Sequence, residues 1–402
     1  MRKSKTNSSL DSAYKNLNLV MAESAITAGL LAMPIITPFF NSIGLSNQQI
    51  SEVQIYFTIV VLLLNIPTGY IADRVSRKWA NIIGDFGIGI VFLFYSQVAS
   101  FSGAVICECL CGIMSALSSG VDQSLVKHFV DKICHHTGES ETKLLRTKTA
   151  KLEMYRQICS LALMLLGGPI GAINLRLALA LSAVSHIVGG IISIFIDDDS
   201  EKLVPVHKNP LKDIAHVTKN AALNRPLRVR ILAYAVGREM THAIIWIATP
   251  LFLAVGVPLS IVSLAWVFKT IMCIIGARLA IRFGKKLSDS AVMAIPTILM
   301  TFSLLVMGVH LSIVTVWLYG LMGIVQGWTG ALFFPMVQRY TKKSEQTSIL
   351  SLTKTLAELL YIPSVWAVGH FSDIRLEYGL FTSVAIFLPL SLIIIKQLKQ
   401  SV

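Results

Sequence analysis

The hydrophobic residues of this chain lie in long continuous blocks separated by short polar segments. Each block is about 20 residues long, the length that a helix needs to cross about 30 Å of hydrocarbon. Strands of a β-barrel would instead alternate in polarity over about ten residues. We therefore predict an all-α membrane protein with twelve transmembrane helices. The predicted spans are 17–40, 50–72, 79–98, 101–125, 152–173, 177–196, 229–254, 258–281, 289–309, 311–336, 347–369 and 376–396.

The longest strongly polar stretch between blocks covers residues 197–228. It predicts an N-terminal six-helix half over 1–196, a cytoplasmic linker over 197–228 and a C-terminal six-helix half over 229–402, related as pseudo-symmetric repeats. Outward segments such as 255–258 and 309–311 are too short to hold a catalytic or receptor domain. Function is therefore expected within the helices.

The distribution of charge sets the expected orientation. Only 14% of the residues are charged, against roughly 25% in soluble domains. If both termini are cytoplasmic, only Arg176 and Arg375 of the 35 Lys and Arg residues lie in outward segments, as the positive-inside rule requires. Nucleic-acid binding is not expected, because the net charge of +13 is spread over many short segments. These segments are instead expected to attract anionic membrane lipids.

Cofactor and metal chemistry are not expected. Five of the six cysteines lie inside predicted helices, so a disulfide framework is not expected either. The Cys107-Glu108-Cys109-Leu-Cys111 stretch does not put three thiols on one helical face, and Cys134-His135-His136 has no companion cluster. No phosphate-binding loop, nucleophile elbow or zinc-binding helix motif is present, so we predict a non-enzymatic protein.

A basic turn follows the second predicted helix. It runs from Gly69 through Asp73 and Arg74 to Arg77 and Lys78. The glycine allows close helix approach, the acid caps or pairs near a helix end, and the cations stay at the cytoplasmic surface. The alternative for Arg77 and Lys78 is that they only determine topology.

A second copy of this turn occurs 208 residues later, with Arg282, Gly284 and Lys285 at the matching positions and Ala277 and Ile281 in place of the first Gly and the Asp. The pair resembles the signature loop of the major facilitator superfamily: Gly, three residues, Asp-Arg, any residue, Gly, Arg, then Lys or Arg. The resemblance covers essentially the whole chain. It implies a secondary transporter in which these turns form a conformational gate.

Two short stretches, 65–74 and 118–123, resemble a bacterial branch of that superfamily that consists mainly of general or drug-efflux transporters. The resemblance implies that Asp122, at the end of the fourth helix, joins the gate with Arg74 as its partner. Gly168 and Pro169 in helix 5 loosely resemble the Gly-Pro motif of the superfamily's antiporters, which favours export. The bacterial cytoplasmic membrane is the expected location.

Ionisable side chains inside the predicted helices are the candidate transport residues. Each costs about 2.5–3.5 kcal/mol on insertion scales, so each is a functional candidate, with structural ion pairing as the alternative. Arg238 and His242 share one helical face, which we expect to line a cavity. Glu153, Arg156 and Asp85 lie closer to the cytoplasm and are expected in gate or network roles. The candidates for substrate or proton coupling are Glu23, Glu108, Arg238, Glu239, His242, Lys269, Lys354 and Glu358.

The leading functional hypothesis is proton-coupled export of a small drug-like or antimicrobial compound by alternating access. A second is proton-linked uptake or facilitated transport of a polar or anionic solute, which Arg238, Lys269 and Lys354 together suggest. A third, of another class, is a membrane receptor or scaffold that has lost transport. The expected partners are a small-molecule substrate, protons and membrane lipids, with no obligate protein partner.

Overall fold

The computed structural model describes residues 2–29, 31–75, 77–197, 218–219, 221–341 and 346–400. Side chains are described within these ranges except at 2–9, 65–75, 142, 285 and 346–347. The described residues form helices and contain no β-strand, which confirms the all-α prediction. Most of the predicted linker, 198–217, lies outside the described residues.

Eight helices precede the linker, and several contain or end at helix-breaking features. Gly120 has a left-handed φ of 75° and separates two helices inside the predicted span 101–125. Asp122 therefore lies in the first turn of a new helix, where the helix dipole favours an acid, and not at the end of the fourth helix. The helices are α1 (Arg2–Thr27), α2 (Ile36–Ser42), α3 (Asn47–Val75), α4 (Arg77–Tyr95), α5 (Phe101–Ser118), α6 (Val121–Thr137), α7 (Glu141–Ile173) and α8 (Leu175–Ile194).

From Arg225 onward, inside the end of the predicted linker, the described residues form seven α-helices and two 3-10 helices. The α-helices are α9 (Arg225–His242), α10 (Ile245–Ala254), α11 (Leu259–Phe283), α12 (Asp289–Val309), α13 (Gly320–Gln338), α14 (Gln346–Ile374) and α15 (Leu376–Lys399). The 3-10 helices are Gly284–Lys286 and Thr315–Tyr319.

Eight helical segments of the described chain are long and apolar enough to cross a membrane. This supports an integral membrane protein, but it does not confirm the count of twelve. The predicted spans 17–40 and 229–254 each fall on two helices, and the charged residues of α9 reduce its hydropathy. The eight segments are Arg77–Tyr95, Phe101–Thr137, Lys143–Ile173, Leu175–Ile194, Leu259–Phe283, Asp289–Val309, Thr315–Gln338 and Leu376–Lys399.

The chain divides into two compact units. The first contains residues 1–39 and 56–206, and the second contains residues 40–55 and 207–402. In the first unit, Leu17 and Val20 of α1 are buried with Leu125 and Phe129 of α6 in one hydrophobic cluster. Burial of these side chains fixes the faces of α1 and α6 that meet.

In the second unit, α11 and α13 approach each other at two glycines of α13. A Cβ added to Gly323 would lie 2.1 Å from the carbonyl oxygen of Lys269, and one added to Gly327 would lie 1.9 Å from that of Cys273. Glycines four residues apart allow two membrane helices to pack with their backbones in contact. No larger side chain fits at either position without moving a backbone.

The second unit also contains an acid cap at the start of α3. Asp373, near the end of α14, accepts hydrogen bonds from the backbone N–H groups of Asn47 (2.7 Å) and Gln48 (3.2 Å). Nδ1 of His370 lies 2.8 Å from Oε1 of Gln48. The first N–H groups of a helix lack partners within it, so the carboxylate satisfies two of them and its charge complements the helix dipole.

Candidate functional site

A cluster of charged side chains joins α9 to α14 in the second unit. Nη2 of Arg238 lies 2.7 Å from Oε1 of Glu358, and its Nε lies 3.5 Å from Oε1 of Glu239. The sequence suggests a partner for Glu358 on another helix, and the structure supplies it. One guanidinium therefore faces two carboxylates, and the three groups together have a charge of −1 when His242 is neutral.

Glu239 is the most deeply buried acid of this cluster, with 0% of its surface exposed. Neither carboxylate oxygen has a hydrogen-bond partner among the described residues. Its nearest nitrogens are Nε of Arg238 at 3.5 Å and Nδ1 of His242 at 3.6 Å. Glu239 is thus held by charge alone, and its oxygens can accept hydrogen bonds from a polar group.

A cavity of about 200 Å³ lies beside this cluster. Arg238 and His242 are both on its wall, as their i, i+4 spacing predicts. The other lining residues come from α9 and α13 and provide hydroxyl, amide and aromatic groups. The full lining is Tyr234, Arg238, Thr241, His242, Gln326, Thr329, Gly330 and Phe333.

The two lysines of the second unit occupy different environments. Lys269 of α11 is 6% exposed, and its ammonium lies 5.8 Å from the ring centre of Trp266. No carboxylate of the described residues lies within ion-pair distance of it. Lys354 is exposed on α14 and does not line the cavity. Of the suggested cationic set, Arg238 is therefore paired with acids, Lys354 is exposed, and Lys269 is buried without an ion-pair partner among the described residues.

In the first unit, Asp122 pairs with Arg156 of α7. Nε of Arg156 also donates to Oγ of Ser24 at 2.9 Å, and that hydroxyl donates to Oδ2 of Asp122 at 3.1 Å. The sequence expects Arg74 as the partner of Asp122. The side chain of Arg74 lies outside the described residues, so that pairing stays a prediction, whereas the three-residue network among α1, α6 and α7 is observed.

The remaining candidate acids of the first unit are Glu23 and Glu108. Glu23 of α1 is 2% exposed, and Thr27, which contacts it, also lies close to Asp85 of α4. Glu108 is partly buried on α5 beside the hydroxyl of Tyr95. The sequence assigns Asp85 a gate or network role, and nothing in its spacing indicates a contact with Glu23.

A larger open groove in the first unit lies between α1 and α7, with a volume of about 530 Å³. Its wall is mostly apolar, including Met21, Ala25 and Ile158, and Lys148 and Lys151 also line it. An apolar groove with nearby ammonium groups suits a lipid chain with an anionic head group better than a polar solute.

Residues 19–365 match the sequence model of the Major Facilitator Superfamily. The chain belongs to this superfamily. This membership indicates a membrane transporter of small molecules rather than an enzyme. No curated protein sequence matches the chain.

Solved transporter structures have the same fold. The nucleoside transporter NupG, in a mutant form, is 13% identical with a TM-score of 0.78, covering 97% of this chain and 99% of that one. A bacterial homologue of the human lysosomal transporter Spinster is 14% identical (TM-score 0.70; 98% and 93% covered). A D-xylose-proton symporter is 13% identical (TM-score 0.64; 95% and 96% covered). None of these three is described as a drug exporter, so the efflux branch is not confirmed.

The predicted gate of this transporter is only partly described. The side chains at Gly69, Asp73, Arg74 and Lys285 lie outside the described residues. Arg77 and Lys78 begin α4 and are partly exposed, and Arg282 is exposed at the end of α11. Gly284 is buried against Leu332 and begins a 3-10 helix. The gate role of these residues stays a prediction.

The Gly-Pro segment lies within one continuous helix of the transporter. α7 continues through Pro169 to Ile173, with Gly168 buried and Pro169 exposed. A Cβ on the preceding Gly167 would lie 2.3 Å from the carbonyl oxygen of Leu31, in the segment between α1 and α2. Small residues in α7 therefore allow that backbone to pack directly against it.

Among the described residues, no group of three or more His, Cys, Asp or Glu side chains is arranged to hold a metal ion. The six cysteines are free thiols. Cys107 and Cys111 are buried among apolar side chains of α5, where a thiol packs like a small hydrophobic group.

Proposed function

We propose that this transporter moves a small polar solute in exchange or symport with protons, and that the cavity between α9 and α13 is its solute site in the second unit. The observation that supports this is the position of the cavity beside Arg238, which faces Glu239 and Glu358. We further propose twelve spanning helices that move as two six-helix halves in a bacterial cytoplasmic membrane, with both termini in the cytoplasm.

The cavity chemistry favours a polar solute without net negative charge. Tyr234, Thr241, Gln326 and Thr329 supply hydrogen-bond donors and acceptors, and Phe333 supplies an aromatic face. Two carboxylates surround the single guanidinium, so an anion would be repelled. The volume of the cavity, about 200 Å³, is below the roughly 300–1,000 Å³ of pockets that bury drug-sized ligands. A nucleoside or pentose is the size that such a subsite would bind.

Proton coupling is supported by buried acids in the transmembrane helices. Glu23, Asp85 and Glu239 each lie in a buried position, where a carboxylate is costly unless it is paired or protonated. Two transporters of similar fold, the nucleoside transporter NupG and a D-xylose-proton symporter, suggest the first solutes to test.

Proton-coupled export of a drug-like compound is a second candidate. The specific observation in its favour is the close packing of Gly167 in α7 against Leu31. Small residues in this segment resemble the Gly-Pro motif of the superfamily's antiporters. An anionic solute is a weaker alternative that depends on Lys269, the unpaired buried cation.

The test is flux into proteoliposomes that contain the purified transporter, with an imposed pH gradient. Labelled uridine and D-xylose report uptake, and release of preloaded ethidium reports drug export. We expect gradient-dependent movement of at least one polar probe, which Arg238→Gln abolishes. Lys354→Gln, which removes an exposed cation from α14, is the matched control and should transport normally. No response of any probe to the gradient would refute proton coupling.

A further inference from the structure

We infer that Glu23 and Asp85 form a single site that holds one shared proton inside the first unit, and that this carboxyl pair is the proton carrier of the transporter. The carrier role rests on the proposed function, whereas the presence of the proton is tested independently of it. The sequence groups Glu23 with seven other coupling candidates and leaves Asp85 out of them.

The pair lies where α1, α4 and α8 meet. Oγ1 of Thr27, one turn after Glu23, donates to Oε1 of Glu23 at 3.4 Å. A Cβ added to Gly189 of α8 would lie 2.2 Å from the side chain of Thr27 and 3.4 Å from Oδ2 of Asp85. Gly189 thus leaves the space that Thr27 occupies beside Asp85.

Both acids are almost completely buried, with Glu23 2% and Asp85 4% exposed. Both side chains lie beside Thr27, whose Oγ1 contacts Oε1 of Glu23 and whose methyl group shares the space next to Gly189 with Oδ2 of Asp85. Oε2 of Glu23 and Oδ2 of Asp85 have no hydrogen-bond partner among the described residues. A hydrogen bond between two carboxyl groups requires a proton on one of them. One proton would therefore satisfy oxygens that are otherwise buried without a partner.

No described cation neutralises the pair. Arg156 is the nearest candidate, but its guanidinium pairs with Asp122 and its Nε donates to Ser24. Asp122 adds a further negative charge to the surroundings of both acids. With all three acids ionised and one arginine present, the cluster would have a buried net charge of −2.

The other titratable groups near the pair do not change this balance. Arg77 and Lys78 lie two turns before Asp85, at the partly exposed start of α4. His186 of α8 stacks on the ring of Phe92. Desolvation disfavours two neighbouring carboxylates that no described cation neutralises, which supports a proton on one of them.

Asn81 of α4 is an uncharged polar neighbour of the pair. Nδ2 of Asn81 donates to Oγ of Ser193 at 3.1 Å, and its amide is also within range of Glu23. With the proton bound, the pair has a charge of −1. Release of the proton leaves two carboxylates, which water stabilises. A conformation that admits water to this site would therefore release one proton per cycle.

Infrared difference spectroscopy tests the site directly. The full-length protein in lipid nanodiscs is stepped from low to high pH, and the C=O stretching band of protonated carboxylic acids is followed. We expect a band that disappears as pH rises and that is absent from both Glu23→Gln and Asp85→Asn. Glu23→Asp keeps a titratable group and should retain a shifted band. This variant distinguishes loss of the proton site from misfolding.

Glu108→Gln is the matched control, because Glu108 is an acid of the same unit that lies beside Tyr95 and outside the pair. It should keep the band. Persistence of the band in both pair variants, or its loss in Glu108→Gln, would overturn the shared-proton site. If the band behaves as expected but no pH gradient drives any probe, then proton coupling as proposed above is wrong and the proton site stands.

Discussion

The acid cap on α3 leads to a quantitative prediction. Asp373→Ala removes both acceptors of the Asn47 and Gln48 N–H groups, whose bonds are 2.7 and 3.2 Å long. The contact between His370 and Gln48 remains. The perturbation is therefore confined to the first turn of α3 and the last turn of α14.

The magnitude follows from the geometry of the cap. Loss of a side-chain cap costs about 1 kcal/mol, within a range of roughly 0.5–2. A charge at a helix N-terminus contributes a further 0.3–1 kcal/mol, reduced here because both bonds are exposed to solvent. The expected total is about 1.4 kcal/mol, which is roughly a tenfold change in an equilibrium constant.

Amide hydrogen exchange measured by mass spectrometry on the 40–55 region is the assay, because it reports local opening free energies. We expect exchange at Asn47 and Gln48 to become about tenfold faster in Asp373→Ala. Glu377→Ala, which removes a nearby acid that pairs with Arg375, is the control and should leave these amides unchanged. Unchanged exchange in Asp373→Ala, or equal acceleration in the control, would refute the assignment of the cap.

Three further predictions concern the second unit. Gly327→Ala forces a Cβ to 1.9 Å from the carbonyl oxygen of Cys273 and should lower the free energy of unfolding by about 1–3 kcal/mol. Gly330→Ala is the control: its Cβ would meet no described atom within 4 Å, so the thermal midpoint should stay unchanged. Arg230→Met should destabilise by about 3–5 kcal/mol, because its 1% exposed guanidinium pairs with Asp289 at 2.7 Å; a smaller loss than in Gly327→Ala would contradict this. Lys269→Met should raise the thermal midpoint, since it removes an unpaired buried charge, and a lower midpoint would indicate a partner for the ammonium.

The sequence predicts some parts of this fold and site because their signals are local. Continuous apolar blocks indicate the helices, and the i, i+4 spacing of Arg238 and His242 places both on one wall of a cavity. The break at Gly120 is less visible, because a single glycine within an apolar block is compatible with a continuous helix. Asp122 was therefore expected at a helix end and lies at a helix start.

Contacts between distant helices could not be predicted from one sequence. The pairing of Asp122 with Arg156 depends on where α6 and α7 cross. Asp373 reaches Asn47 across 326 residues. Thr27, the neighbour of Glu23, lies close to Asp85 because a glycine of α8 leaves room for it. In each case the residue types are visible in the sequence, but their neighbours follow from packing.

The glycine contact between α11 and α13 has a mechanical consequence. Gly323 lies directly against the backbone of Lys269, so no flexible side chain separates the two helices there. If a bound molecule displaced Gln326 or Thr329 of α13, the backbone of α11 at Lys269 would therefore be displaced with it, because no side chain lies between the two helices to absorb the movement. The position of the Lys269 ammonium would then depend on whether the cavity is occupied, although Lys269 does not line it.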